Sequence, residues 1–314
     1  MTVSRKSTRV VGGIVESAAG MRTRLRAGIL LMMGLGASCA GCFSVDRVIA
    51  VAGRDPFGTP QPVAGLRTDQ DDVQDPSLTA DELEIFFTSP NAGAGHIWTS
   101  RRASADAAWE TSVQVAELSS AGYDQDPTVS ADGLTIYLAS ARAGAGMRLY
   151  VATRAARDQP WATPRAVGDL GASTDDVAPT LDAGGLQMIF ASSRDGAADV
   201  HLFAAARAAG TDAWAVPVAL TAINSDWQDR DPTLYDGGRG LVFASRRTDQ
   251  GRTSDLFHTS RSRADADFVV TPERIDELST VENWEGDPWL SEDGRHIYFV
   301  SDQTGVSRIY ESRR

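Results

Sequence analysis

Only two cysteines, Cys39 and Cys42, occur in the 314 residues, and both precede residue 43. A domain built from the remainder has neither a disulfide nor a thiol nucleophile, so its stability must come from burial of a core. Lysine is scarcer still. Lys6 stands alone and every later cation is an arginine, a bias that GC-rich coding explains without a functional reason. The four histidines, His96, His201, His258 and His296, show no His-x-x-His or Glu-x-x-His pairing, so spacing gives no metal set. There is no Gly-x-Ser-x-Gly elbow and no phosphate-binding glycine loop, which removes the usual signals of acyl and phosphoryl transfer. On this reading the chain is not an enzyme and needs no cofactor. Long apolar runs are missing too: Ala27 to Leu35 falls short of the ~20 residues of a membrane span.

That short run has a different reading. Arg22, Arg24 and Arg26 precede it and small residues lead from it to the cysteines, the layout of a secretory signal. Ala40-Gly41-Cys42 fits the end of a bacterial lipoprotein box, with Cys42 as the lipidated residue and Cys39 as the alternative. Residues 1–42 are then a leader whose true start is Met21 on one reading, 43–56 a tether, and 57–314 the folded domain. The tether spans at most about 50 Å. The localisation expected is an exported lipoprotein of the outer membrane, on its periplasmic face, touching the bilayer only through the lipid.

The leader holds six of the 30 basic residues and one of the 42 acidic ones, so the remainder carries 24 arginines against 41 carboxylates, a net −17. A surface this acidic repels nucleic acid and anionic lipid.

What is abundant is a repeat. Asp75-Pro76, Asp126-Pro127, Asp231-Pro232 and Asp287-Pro288 recur along the chain, with Ala178-Pro179 in the one gap. Thirteen residues after each proline comes a serine, at 89, 140, 192, 245 and 301, preceded by an apolar run such as Ile136-Tyr137-Leu138. These runs are too short for helices and rich in β-branched and aromatic residues, so they read as buried strands. Turns such as Asp132-Gly133 and Asp293-Gly294 make each proline segment and run a hairpin. A third strand ends in arginine, at Arg101, Arg154, Arg207, Arg261 and Arg313. A fourth segment joins an aromatic to an aliphatic: Phe57 to Leu66, Trp109 to Leu118, Trp161 to Leu170, Trp214 to Ile223 and Phe268 to Leu278. The period near 50 residues predicts an all-β, five-bladed β-propeller of four-stranded blades. Because the chain opens on a lone fourth-type segment, the N-terminal strand is expected to complete the last blade and close the ring.

The pattern Asp126-Pro127-Thr128-Val129-Ser130-Ala131-Asp132-Gly133, continuing to Ser140, Arg142 and Gly144, resembles the Asp-Pro propeller repeats of the TolB family, distant relatives of WD repeats. Residues 287–294, continuing to Ser301, carry most of it. The resemblance covers about residues 57–313 and implies a propeller that binds or scaffolds another envelope protein, here as a monomer. The same repeat also occurs in peptidase gating domains and polysaccharide lyases, and this chain lacks the α/β domain and sixth blade of TolB.

Carboxylates are the candidate chemistry. Inner strands line a propeller's axis, so Asp75, Asp126, Asp231 and Asp287 should ring the channel, with Asp124, Asp229 and Glu285 at its rim. Such a ring suits a hard cation such as Ca²⁺ or an acid/base pair for glycoside cleavage, while bracing of blade against blade is the structural reading. Arg142, Arg194 and Arg247 admit ion pairing or an anion site. Trp227 and Trp284, read as equivalent in adjacent blades, are candidates for stacking on a sugar or a partner's arginine, or for packing between blades.

Overall fold

The computed structural model describes residues 55–66, 72–91, 94–144, 146–170, 175–196, 199–210, 213–248 and 251–314. The expected leader, both cysteines and nearly all of the tether lie outside the described residues. Among those described, no helix is long and apolar enough to cross a membrane.

The chain enters as β1 (Gln61–Pro62). The first blade is β2 (Gln74–Leu78), β3 (Glu84–Asn91), β4 (Ala94–Arg101) and β5 (Val113–Gln114), and the second β6 (Asp124–Val129), β7 (Thr135–Ser140), β8 (Arg148–Thr153) and β9 (Arg165–Ala166). Then come β10 (Asp176–Leu181), β11 (Gln187–Ser192), β12 (His201–Ala206) and β13 (Val218–Ala219), followed by β14 (Asp229–Tyr235), β15 (Gly240–Ser245), β16 (Asp255–Ser260) and β17 (Glu273–Arg274). The fifth blade is β18 (Glu285–Leu290), β19 (His296–Ser301) and β20 (Arg308–Arg313), with β1 as its outer strand. All pairings are antiparallel, and the ring is the five-bladed propeller the repeat predicts, closed as expected by the N-terminal strand.

The second strand of each blade is apolar on both faces because neighbouring blades cover it from either side. Phe86, Phe87, Phe190, Phe243, Tyr298 and Phe299 are buried there, and they form the layers between blades. The fourth segment is less regular than expected. It pairs over only two residues per blade, and its two ends do the packing: Trp109 and Leu118, Trp161 and Leu170, and their counterparts are all buried.

Five arginines hold those aromatic ends. Arg102, Arg154, Arg207, Arg261 and Arg314 stand 4.2–4.5 Å over Trp109, Trp161, Trp214, Phe268 and Phe57. Each also donates its Nε to a turn carbonyl of its own blade, of Glu82, Gly133, Gly185, Gly238 and Gly294 respectively. The clamp thus ties the inner hairpin to the outer segment through a cation–π contact and a charge-assisted hydrogen bond. In the first and last blades it is Arg102 and Arg314 that clamp, not the Arg101 and Arg313 that end the strands.

Candidate functional site

Each inner strand carries a bulge at its Asp-Pro, or at Ala178-Pro179 in the third blade, where the register with the second strand shifts. Proline has no N–H for the ladder, and the residue before it takes the left-handed conformation, with φ between 49° and 53° at Asp75, Asp126, Ala178, Asp231 and Asp287. Aspartate tolerates that region; alanine gains nothing there. Ala178→Gly is expected to stabilise the protein by about 0.5–1 kcal/mol, read as a rise in melting temperature of roughly 1–4 °C.

The bulge turns the aspartates onto the channel, a cavity of about 110 Å³ lined by Asp75, Asp126, Asp231 and Asp287 together with their prolines. Blades are linked in sequence by one repeated bond. The Asp75 N–H donates to Asp287 Oδ2 at 3.2 Å, the Asp126 N–H to Asp75 Oδ2 at 3.2 Å, and the Ala178 N–H to Asp126 Oδ2 at 2.8 Å. The series stops at Ala178, which has no carboxylate to pass on. Arg230 spans that break: its Nε donates to Asp231 Oδ1 at 2.7 Å and its Nη2 lies 4.0 Å from Asp126 Oδ1. Burial pushes the Asp126 and Asp287 carboxyls well up, and the charge of Asp75 adds to it. The Asp231 carboxylate, with Asp126 and Asp287, holds the Arg230 guanidinium further into its charged form.

The second carboxylate series is not at the rim. Asp124, Asp229 and Glu285 are buried within their blades, because each pairs across the ladder with the repeat serine: Asp124 with Ser140, Asp229 with Ser245, Glu285 with Ser301. Asp124 accepts from Ser140 Oγ, from the N–H and Oγ of Ser120, and from Arg142 Nη2 at 2.8 Å. Arg194 meets Asp176 at 2.8 Å and Arg247 meets Asp229 at 2.6 Å in the same way. The arginine series is therefore ion-paired inside the blades, with no arginine ring facing a ligand. In the last blade Glu285, one methylene longer, accepts from Ser301, and Gln303 takes the arginine's place.

Where the inner strands begin lies a separate recess of about 300 Å³ lined by Gln74, Asp75, Gln125, Arg230, Arg246, Trp284, Asp287, Asp302 and Ser307. The two tryptophans expected as a pair part here. Backbone bonds from Ala141 to Tyr123, from Arg246 to Gln228 and from Asp302 to Trp284 mark the matching positions, so Trp284 corresponds to Tyr123 and Gln228, and Trp227 sits one residue earlier. Trp284 donates its backbone N–H to Asp302 Oδ1 at 2.9 Å, and its ring lies against Gly286, where a Cβ would come within 2.3 Å of it. Trp227 covers Gly251 outside the recess and is 41% exposed. Arg230 and Arg246 are the residues that repeat reading missed, since the position of Arg230 holds glutamine in the first two blades, valine in the third and glycine in the fifth, and that of Arg246 holds a different residue in every blade.

Among the described residues, no group of three or more His, Cys, Asp or Glu side chains gathers to hold a metal ion. At the seam between the last and first blades, His296 is buried between Glu82 Oε2, 2.6 Å from Nδ1, and Glu311 Oε2, 2.9 Å from Nε2. Two acceptors require both ring nitrogens to carry protons. Burial alone would lower the imidazole's pKa, but the bonds to Glu311 and Glu82 outweigh it and raise it; the bond to His296 lowers that of Glu311. A raised folded value contributes stability that is complete below about 6.5, the unfolded value, and lost as pH climbs through the folded one. The melting-temperature advantage of the wild type over His296→Gln should therefore shrink as pH rises from about 6 toward 9.

No protein-family model matches the chain, and no curated protein matches it. Solved structures do. An α-L-arabinofuranosidase from Lactobacillus brevis is 16% identical, with a TM-score of 0.55 over 78% of this chain and 91% of that one. An α-L-arabinofuranosidase from Podospora anserina, solved in complex with cellotriose, is 13% identical, with a TM-score of 0.53 over 82% and 96%. A structure described as a putative TolB from Agrobacterium tumefaciens is 16% identical, with a TM-score of 0.48 over 73% and 69%. At such identities the likeness concerns the fold alone: this chain is a five-bladed propeller.

Proposed function

We propose that the protein is a non-catalytic binding module of the cell envelope, exported and lipid-anchored at Cys42, that captures another envelope protein on the face where its inner strands begin. One observation carries this reading. That face exposes Trp227, Tyr123, Val281 and Val306 in loops that differ from blade to blade, whereas the channel carboxylates Asp126, Asp231 and Asp287 are buried, Asp75 is half-buried, and all four are engaged within the fold. Aromatic residues beside arginines make up the centres of protein interfaces. Glycoside cleavage instead asks for two carboxyl groups turned to one sugar, an acid and a base or nucleophile. Here Asp75, Asp126 and Asp287 each hold the backbone of the next blade, and Asp231 holds Arg230.

Photo-crosslinking in the native envelope tests the reading, comparing the protein with Trp227→Ala/Val281→Asp. A single partner recovered by the wild type and lost at least tenfold by the variant is the expected result. Hydrolysis of aryl arabinofuranosides or other aryl glycosides, abolished by Asp287→Asn, would replace the proposal with an enzyme.

A further inference from the structure

Arg246 directly follows the repeat serine Ser245, at the place held by Pro90, Ala141, Ser193 and Asp302 in the other blades. The repeat therefore does not require an arginine there. The arginine that serves the repeat is the next residue, Arg247, which pairs with Asp229. Arg246 instead lines the recess where the inner strands begin, and its guanidinium is unanswered. Its Nε is buried with no hydrogen-bond partner, and among the described residues the group forms no hydrogen bond and no ion pair.

The other charged side chains of the recess are engaged. Asp75 Oδ2 accepts from the Asp126 N–H, Asp287 Oδ2 from the Asp75 N–H and Asp302 Oδ1 from the Trp284 backbone N–H, while Arg230 is held by Asp231. Burial, with the charge of Asp75 added, pushes the Asp287 carboxyl toward its uncharged form, which leaves Asp75 and Asp302 facing Arg230 and Arg246. The lining is thus close to balance, and its one unpaired charge is positive. A donor desolvated without an acceptor is costly to the fold, and an acceptor entering the recess removes that cost. The two oxygens of a carboxylate match the fork of the guanidinium. Trp284 offers an apolar wall to the carbon chain that carries it. A recess of about 300 Å³ is at the small end of ligand pockets and suits a short acid.

We infer that this recess binds a carboxylate at Arg246. Its source is either a small free carboxylic acid or the acidic side chain of a partner. The site stands whether or not the outer loops capture a protein, because a small acid probes it directly.

Titration calorimetry on the whole protein tests it with glutarate and with the blocked tripeptide acetyl-Gly-Glu-Gly-amide. The same peptide with glutamine, uncharged and of the same shape, is the control. Saturable binding of at least one carboxylate probe, at least tenfold tighter than the glutamine peptide, is expected. Binding of the glutamate peptide assigns the site to a partner's side chain, and binding of glutarate alone to a free acid. Arg246→Gln removes no side-chain bond, so it should fold, as the melting curve will show, and should weaken binding at least tenfold. Asp302→Asn keeps an acceptor for the Trp284 backbone N–H and removes a negative charge, so it should bind at least as tightly as the wild type. No binding of either probe, equal binding of the glutamine peptide, affinity unchanged in Arg246→Gln, or binding weakened by Asp302→Asn would overturn the inference.

Discussion

A chain shortened to begin at residue 67 should melt roughly 10 °C lower than the full chain and should self-associate. The segment removed carries Phe57 and Leu66, both buried, and burial of two such side chains is worth about 4 kcal/mol. Against the 5–15 kcal/mol by which domains are stable, and at about 2–4 °C per kcal/mol in a domain of this size, that loss gives the shift. Lost with it are the bonds from the Gly58 N–H to Arg313 O and from the Val63 N–H to Ile309 O, both 2.9 Å, and that from Ser312 Oγ to Gly58 O at 2.6 Å. Arg314 loses the ring it covers. Strand β20 would then present six residues of unpaired edge, a template for another copy. Circular dichroism melting and size-exclusion chromatography read both effects. A monomer with unchanged melting temperature would mean that β1 is dispensable to closure.

Arg154→Ala is expected to cost about 3–5 kcal/mol, the range for breaking a buried ion pair from one side. Both partners are 3% exposed, with Arg154 Nη2 2.5 Å and Nη1 3.0 Å from the two oxygens of Glu84. Arg154 belongs to the second blade and Glu84 to the first, so the pair joins neighbours as well as clamping Trp161 within its own blade. Without it Glu84 keeps only the half-exposed Arg101. The double variant Arg154→Met/Glu84→Leu removes both charges and should recover much of the loss, since apolar residues of similar size often replace a buried pair without cost. Urea unfolding of the two single variants and the double variant gives the coupling. Additive losses would mean that the clamp on Trp161, rather than the ion pair, carries the stability.

The blades, their order and their closure were legible because proline, serine and the apolar run recur at fixed distances, and a fixed distance in a strand fixes a face. Doublets were harder. Arg101-Arg102 and Arg313-Arg314 are doublets in which the first arginine ends the strand, as expected, and the second is the clamp, so strand ends alone do not identify the clamp. The seven-residue interval from clamp arginine to aromatic, constant in Arg102–Trp109, Arg154–Trp161, Arg207–Trp214 and Arg261–Phe268, would have resolved them. Trp227 and Trp284 were matched through a loop that differs by one residue: Ser225 caps Asp229 four positions on, whereas Thr280 caps Glu285 five positions on. The role of Arg230 left no periodic trace, because it compensates for an alanine in a different blade.

Phe57 meets Arg314 beside the Gly294 turn, at the end of the propeller opposite the Asp-Pro mouth. Phe57 is thus held at the rear of the ring. A tether of the proposed kind, joining at residue 57, would leave the opposite face, with Trp284 and Trp227, open to passing molecules.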